Sequence, residues 1–255
     1  MANDSDLTWK KLGEKDPYFG VITHSKFLNA NLNEEALRDF FLSGEEHVEH
    51  IYEYINSKVC ASFHADRVLD YGCGVGRLVI PFSKRCQTAV GVDIAPGMLE
   101  QARWNCERLS VTNVQFMYPD DLYTLAPGSF DLVHSYIVFQ HIPVSRGEQI
   151  LNNLIRLIAE GGIGAIHLTY SDSRSLLHNT VATIRRYSSL AHGLLNVIQG
   201  VPFSRPLMQM NRYSINRILD MLLRAGCSNV HIEFSSHSGF NGVMLYFEKT
   251  PRPFL

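Results

Sequence analysis

The chain has 255 residues, of which 45% are hydrophobic and 19% charged, a composition that is ordinary for a globular protein. The net charge of −2 gives no basic field for nucleic acid, and no apolar run is long enough to span a bilayer. Its five cysteines are scattered and its first residues are acidic and polar, so we expect a reducing, cytoplasmic compartment and no signal peptide.

The first 60 residues are predicted to form an N-terminal arm and helices that cover the core. Residues 1–30 carry few periodic apolar positions, and they either lie on the core as an arm or form a lid over a ligand. Apolar residues then recur at helical spacing over 34–59, with a break expected near Ser43-Gly44.

Two histidines, His47 and His50, stand three residues apart in this predicted helix. Histidines at this spacing can share a metal ion, but no third ligand follows at a recognisable spacing. We therefore expect a solvated helix face here and no metal site.

The stretch that organises the chain is residues 67–76, Arg-Val-Leu-Asp-Tyr-Gly-Cys-Gly-Val-Gly. A buried strand is predicted to end at Asp70, followed by a glycine turn and the start of a helix. Glycines allow the backbone to approach a ligand closely, and the helix start offers N–H donors. Asp70 is placed to hold a cationic amine. The third glycine comes one residue earlier than in the dinucleotide fingerprint, and Arg77 stands where that fingerprint has glycine, which disfavours a nicotinamide-dependent oxidoreductase.

Three further short apolar strands follow, and acids come directly after two of them. Strand 88–92 is followed by Asp93, and strand 114–118 is followed by Asp120 and Asp121; the next strand covers 130–134. Carboxyl ends of parallel strands share one sheet edge, where such sheets bind ligands, and an acid after the second strand suits ribose hydroxyls.

Alternating strands and helices over the rest of the chain predict a parallel sheet with helices on both faces. An insertion at 171–212, with its own amphipathic stretch, interrupts this alternation. It is predicted to cover a ligand pocket, to form a dimer contact or to pack as a plain helix. The other predicted elements are helices over 76–86, 96–110, 146–160 (ended by Gly161-Gly162) and 214–225, and strands over 163–169, 229–235 and 243–249, the last two joined by a turn containing Asn241-Gly242.

These motifs, taken in order, resemble the class I S-adenosylmethionine-dependent methyltransferases. The matching pieces are Val-Leu-Asp-Tyr-Gly-Cys-Gly-Val-Gly-Arg (68–77), Gly-Val-Asp-Ile-Ala-Pro-Gly-Met-Leu (91–99), Asp-Asp-Leu (120–122), Ser-Phe-Asp-Leu-Val-His-Ser (129–135) and Leu-Ile-Ala-Glu-Gly-Gly (157–162). The resemblance implies an α/β, doubly wound, seven-stranded and mostly parallel sheet with a C-terminal antiparallel hairpin. The methyltransferase core would cover 61–255.

The resemblance also implies S-adenosylmethionine as cofactor and assigns its contacts. Asp70 faces the amino end, Asp93 takes the ribose hydroxyls, and Ile94 and Met98 pack on the adenine. Cys73 is small and packed, and is not expected to act as a nucleophile. The remaining implied cofactor residues are Gly72, Gly74, Gly76, Asp120, Asp121, Leu122 and Ser135.

The acceptor is expected to be a small molecule or a glycan, methylated on a hydroxyl or, as the lesser alternative, an amine. A hydroxyl acceptor needs a base, and histidine suits that role near neutral pH. His141 follows the fourth strand and is the first candidate, with His167 as the second; His134, inside its strand, suits a buried residue. Some sugar and natural-product enzymes of this class carry two adjacent histidines here, and this chain has Gln140 in place of the first. The alternative is a non-catalytic cofactor-binding module on the same fold, and a homodimer remains open.

Overall fold

The computed structural model describes residues 5–172, 185, 188–198, 208–237 and 239–250. The strands are β1 Arg67–Tyr71, β2 Thr88–Val92, β3 Val114–Met117, β4 Phe130–Ser135, β5 Ile158–Asp172, β6 Cys227–His237 and β7 Phe240–Lys249. The α-helices are α1 Ser5–Lys15, α2 Pro17–Val21, α3 Glu34–Tyr54, α4 Val79–Ser83, α5 Pro96–Arg108, α6 Val144–Leu157, α7 Ser189–Ile198 and α8 Ile215–Arg224.

The seven strands form one sheet in the order β3-β2-β1-β4-β5-β7-β6. Strands β1 to β5 pair in parallel, whereas β7 runs antiparallel to both β5 and β6. The predicted fold class, a mostly parallel sheet with a C-terminal antiparallel hairpin, is confirmed. The strand order reverses between β1 and β4, and a crevice forms at such a point because the connections leave on opposite faces.

Both faces of the sheet are buried, as expected for parallel strands that read as continuous apolar runs. On one face, Leu69 belongs to a cluster with Leu154 of α6 and Ile218 of α8. On the other face, Val68 belongs to a cluster with Ile51 of α3. The rigid centre of the sheet therefore fixes the positions of the strand ends that carry the polar residues.

Helix α3 runs without interruption through Ser43-Gly44, so the predicted break is wrong. A Cβ atom at Gly44 would lie 2.1 Å from the carbonyl oxygen of Arg77. Glycine is therefore present because the helix packs directly on the glycine loop, and tertiary contact outweighs the low helix propensity of the residue. After Tyr54 the chain continues as a π-helical turn over Ile55–Val59.

Several predicted boundaries shift. Helix α6 ends at Leu157, before the glycine pair, because β5 already begins to pair with β4 at Ile158. The C-terminal hairpin turns at Gly239, which has a φ of +80°, so the turn predicted at Asn241-Gly242 is wrong and both residues lie inside β7. The helix predicted from residue 76 is regular only over α4.

Helices α1 and α2 pack against the core through α5. The Tyr18 hydroxyl donates to Oδ1 of Asn105 at 2.7 Å, and a Cβ at Gly20 would lie 2.7 Å from Cε of Met98. Of the predicted insertion, α7 is described, whereas residues 173–184, 186–187 and 199–207 lie outside the described residues. None of the described helices is both long and apolar enough to cross a membrane.

Candidate functional site

A cavity of about 600 Å³ opens at the carboxyl ends of β1, β2 and β4. One side is formed by the glycine loop, and the other by the loop after β4. The arm closes the cavity through residues of α1 and α2, including Trp9 and Val21, and Met208 and Met210 approach from the segment before α8. The N-terminal arm therefore forms part of a binding wall as well as covering the core.

The glycine loop comes into close contact with two other elements. Gly72 has a φ of +80° and a Cβ there would lie 2.2 Å from a methyl group of Val138; Gly74 has a φ of +53° and would collide with Val21. Both positions require glycine because of backbone conformation and space together. The loop thereby presents bare backbone to the cavity, as a ligand in close approach requires.

Asp93 lies at the end of β2 and faces the cavity. Its carboxylate accepts hydrogen bonds from the backbone N–H groups of Gly74, at 3.0 Å, and Ala95, at 2.9 Å. Burial raises the pKa of Asp93 to about 6, and these backbone donors oppose the shift. The acid thus joins the glycine loop to the start of α5 and remains ionised near neutral pH.

Asp70 is held by a chain of two histidines. Its Oδ1 lies 2.9 Å from Nδ1 of His134, and Nε2 of His134 lies 3.2 Å from Nε2 of His47 on α3. Asp70 and His134 are both almost fully buried, and Oδ2 of Asp70 has no hydrogen-bond partner among the described residues. A buried carboxylate oxygen without a donor is costly, so this oxygen suits a cationic ligand group.

His47 does not lie on a solvated face, contrary to the prediction. Its ring contacts Tyr136, with ring centroids 4.2 Å apart, as well as His134. Burial lowers the pKa of His47 to about 2, and His134 contributes to the shift, so the ring is neutral at pH 7. His50 is exposed and pairs with Glu233 at 2.8 Å. Within the described part of the chain no cluster of metal-ligating side chains occurs.

The other predicted cofactor residues divide into two groups. Cys73, Ile94 and Met98 line the cavity, and burial raises the pKa of the Cys73 thiol well above its usual value, which keeps it protonated. Gly76 packs against Ile80 of α4, and the Ser135 hydroxyl donates to the Tyr71 carbonyl at 2.9 Å. The structure brings neither Gly76 nor Ser135 to the cavity wall, and both act in packing.

Asp120 and Leu122 line a smaller neighbouring cavity of about 240 Å³, which shares Tyr71, Pro119 and Arg146 with the larger one. Asp121 does not face either cavity. Its carboxylate accepts from the backbone N–H of Tyr118 at 2.8 Å and caps the 3₁₀-helix Pro119–Thr124.

His141 lines the large cavity, but both of its ring nitrogens are occupied. Nδ1 donates to the Gln209 carbonyl at 2.8 Å, and Nε2 accepts from the Gln140 amide at 3.1 Å. This assignment follows from the carbonyl partner, which can only accept. Burial lowers the pKa of His141 to about 4, so the ring is neutral at pH 7.

His237, at the end of β6, also lines the cavity and was missed in the sequence. Its Nε2 lies 3.0 Å from Oε1 of Gln140, which also accepts from the Thr169 hydroxyl at 2.8 Å. Because Gln140 Oε1 is an acceptor, Nε2 of His237 carries the proton and Nδ1 presents a lone pair. No described residue is hydrogen-bonded to that Nδ1. Burial lowers the pKa of His237.

His167, the second predicted base, lies behind the cavity wall. It is 1% exposed, its Nε2 is 2.8 Å from the Ser235 hydroxyl, and its ring centroid is 5.2 Å from that of Tyr136, which does line the cavity. Burial lowers the pKa of His167 to about 3. Its neutral ring therefore supports Tyr136 from within the core.

The loop after β4 holds a strained residue that the sequence did not indicate. Ile137 lines the cavity with a φ of +59°, in the left-handed region that β-branched residues rarely adopt. Such strain costs on the order of 1–3 kcal/mol and tends to occur at functional sites. Phe139, two residues further along the same loop, is fully buried in the core beside Tyr213.

The site residues fit the cofactor that the sequence motifs imply. The unpartnered Oδ2 of Asp70 offers a contact for the amino end of the cofactor, and the carboxylate at the end of β2 offers one for the ribose. Bare backbone at Gly72 leaves room for the part of the cofactor that joins them. Residues 68–162 match the family model described as "Methyltransferase domain". This part of the chain is a class I S-adenosylmethionine-dependent methyltransferase domain, and the cofactor of the class is S-adenosylmethionine.

Individual relatives are similar over part of their length only. The malonyl-[acyl-carrier protein] O-methyltransferase of Acetivibrio thermocellus is 34% identical over 125 residues, covering 47% of this chain and 41% of that protein. A 23S rRNA (uracil-C5)-methyltransferase of Mannheimia succiniciproducens is 44% identical over 55 residues, covering 22% of this chain and 12% of that protein. The chain spans between 12% and 52% of the length of these and other curated relatives.

A solved structure extends the likeness of the fold to nearly the whole chain. Magnesium protoporphyrin IX methyltransferase from Synechocystis, solved with S-adenosylmethionine bound, has a TM-score of 0.60 at 17% identity, with 98% of this chain and 99% of that chain covered. At that identity the likeness shows the fold.

Proposed function

We propose that this protein transfers a methyl group from S-adenosylmethionine to a hydroxyl of a small-molecule or glycan-type acceptor, with an amine as the less favoured acceptor. The observation that carries the proposal is the single cavity that joins the glycine loop, Asp70 and Asp93 to Tyr136 and His141. When bound, the cofactor supplies a methyl group on a sulfonium, which is already a strong electrophile. The task left to the chain is to bind, to orient and to exclude water.

On the cofactor side, we assign each part of S-adenosylmethionine to a different group of the protein. We assign Asp93 to the ribose hydroxyls and the free Oδ2 of Asp70 to the amino group, with Ile94 and Met98 on the adenine. The adenine edge is assigned to the 3₁₀-helix Pro119–Thr124, which carries Asp120, Asp121 and Leu122. His134 orients Asp70, because its Nδ1 occupies the other carboxylate oxygen.

On the acceptor side, two histidines are proposed as bases. His141 remains the sequence-based candidate, but it must first break its 3.1 Å contact with Gln140 before Nε2 can take a proton. Gln140 is itself held by Thr169 and His237, so that rearrangement is costly. Nδ1 of His237 needs no such change, and we propose it as the more available base. We rank His167 last, because it is 1% exposed and does not line the cavity.

The experiment that tests the function incubates the protein with a pool of hydroxylated small molecules and glycans and with isotopically labelled S-adenosylmethionine. Mass spectrometry should find an acceptor heavier by one labelled methyl group. Protein that binds S-adenosylhomocysteine but labels no acceptor in this pool or in amine and RNA pools supports the alternative, a non-catalytic cofactor-binding module. Labelling of RNA alone would refute the acceptor class.

Variants of the two histidines distinguish the bases. Loss of the base should lower turnover about 10²- to 10⁴-fold while leaving the affinity for S-adenosylhomocysteine nearly unchanged. We expect His237→Gln to show this loss and His141→Gln to show a smaller one. Near-normal turnover in both variants would assign the rate enhancement to positioning alone.

We further propose that the protein is cytoplasmic and that it forms a homodimer. Helix α7 supports a contact role for part of the insertion, because Leu190, Leu194 and Ile198 on it are more than half exposed. Sedimentation velocity over a range of concentrations tests the dimer.

A further inference from the structure

Arg77 follows the last glycine of the loop, and its guanidinium lines the cavity without a strong partner. Nη1 lies 3.4 Å from the Ser43 carbonyl oxygen and 3.5 Å from the Ser43 hydroxyl, both at the long limit of a hydrogen bond. Nε is buried and has no partner. Across the described ranges, no carboxylate oxygen lies within 4.0 Å of this guanidinium.

A partly buried guanidinium with an unpaired N–H group destabilises the folded protein unless a bound ligand accepts its hydrogen bond. The close approach of α3 at Gly44 places Ser43 beside Arg77. The Ser43 hydroxyl donates to the Phe40 carbonyl at 2.7 Å, so toward the guanidinium it can only accept, and Arg77 alone supplies donors to this end of the cavity. A planar guanidinium suits a carboxylate better than any other anion of similar size except phosphate, because its N–H groups match two oxygens.

The same cavity also contains an unpaired group of opposite charge, the carboxylate of Asp70, seven residues before Arg77 in the sequence. Asp70 is 2% exposed, and its Oδ2 has no donor, while His134 holds Oδ1. Asp70 and Arg77 do not pair with each other within 4.0 Å, although both line the cavity. An unpaired acceptor and an unpaired donor of opposite charge, kept apart, match a ligand that carries an ammonium and a carboxylate on one carbon.

We infer that Arg77 forms the carboxylate half of a clamp whose ammonium half is Asp70, and that the clamp binds the α-amino-acid end of the cofactor. This inference rests on the proposed function, since it assumes that S-adenosylmethionine occupies the cavity. It makes Arg77 a determinant of ligand choice, because a nucleoside without the amino-acid end leaves both charges unpaired.

The test is a thermodynamic cycle between one side chain and one ligand group. Calorimetry measures binding of S-adenosylhomocysteine and of its decarboxylated analogue, in which hydrogen replaces the α-carboxylate, to wild-type protein and to Arg77→Gln. We expect wild-type protein to prefer S-adenosylhomocysteine about 10- to 100-fold, and the variant to lose that preference because charge-assisted hydrogen bonds are lost. Binding of the decarboxylated analogue should be nearly unchanged in the variant, which also shows that the variant is folded.

A matched control and a second measurement keep the result decisive. Arg224→Gln removes an exposed arginine at the end of α8 and should leave both affinities and their ratio unchanged. A wild-type preference below about threefold overturns the clamp even when Arg77→Gln fails to fold, because it corresponds to less than one charge-assisted hydrogen bond. Equal weakening of both ligands by Arg77→Gln also overturns it. Wild-type protein that binds neither ligand overturns the proposed function itself, a different outcome.

Discussion

Buried neutral histidines should make this protein sensitive to mild acid. Burial lowers the pKa of His141 to about 4 and that of His167 to about 3, whereas histidine in an unfolded chain has a pKa of about 6.5. As the pH falls below about 6.5 the unfolded chain binds protons that the folded chain cannot, so stability falls. The contribution of each ring is fully present above about pH 6.5 and is lost as the pH falls toward its folded pKa.

The magnitude follows from linkage. Between about pH 7.5 and about pH 5, each of the two rings should lower the free energy of unfolding by about 2 kcal/mol. Asp93 opposes them, because its folded pKa is raised to about 6 and it gains protons in the folded state over the same range. Protonation of Asp93 should raise the free energy of unfolding by about 1.4 kcal/mol by about pH 5. The pH dependence of wild-type stability therefore mixes opposite contributions, and comparison with variants isolates each group.

Urea denaturation of wild-type protein and of His167→Gln at the two pH values measures the effect. The variant should lose about 2 kcal/mol less than wild type on acidification, whatever its stability at pH 7.5. Leu168→Ala is the matched control, because it alters a fully buried neighbour on the same strand that carries no titratable group, and it should change stability without changing the pH dependence. Identical pH dependence in wild type and His167→Gln would show that His167 takes up a proton in the folded state, and the reasoning would be refuted.

Three more outcomes follow from the site. The affinity for S-adenosylhomocysteine should fall as the pH drops through about 6, because the ribose contact proposed for Asp93 is stronger to a carboxylate than to a neutral acid. Calorimetry of Asp93→Asn should show weaker binding without that pH dependence. Ile137→Gly should destabilise the protein by about 1–3 kcal/mol less than Ile142→Gly, a neighbour of similar burial at φ −105°; equal losses in urea would argue against strain at residue 137. Gly44→Ala should lower the melting temperature, although alanine normally stabilises a helix by about 1 kcal/mol, because its Cβ would meet backbone; a raised melting temperature would contradict that packing.

The sequence by itself determined the topology of the sheet and which residues lie at the strand ends where the cofactor is expected to bind. Alternating short apolar strands and helices leave few topologies open, and the glycine turn with Asp70 and Asp93 at successive strand ends is a local pattern. Each of these features depends on residues close together in the chain, so spacing alone reveals them. The structure accordingly places Gly72, Gly74 and both acids on one cavity wall.

Tertiary structure alone decided which polar groups meet across the cavity. His47 on α3 reaches His134 on β4, and His237 at the end of β6 reaches Gln140, contacts that join residues 87 and 97 positions apart. Sequence spacing carries no information about such pairs, because their meeting depends on how helices and the antiparallel hairpin pack onto the sheet. For the same reason His141 stood out as an accessible base in the sequence, whereas packing buries it and occupies both of its nitrogens.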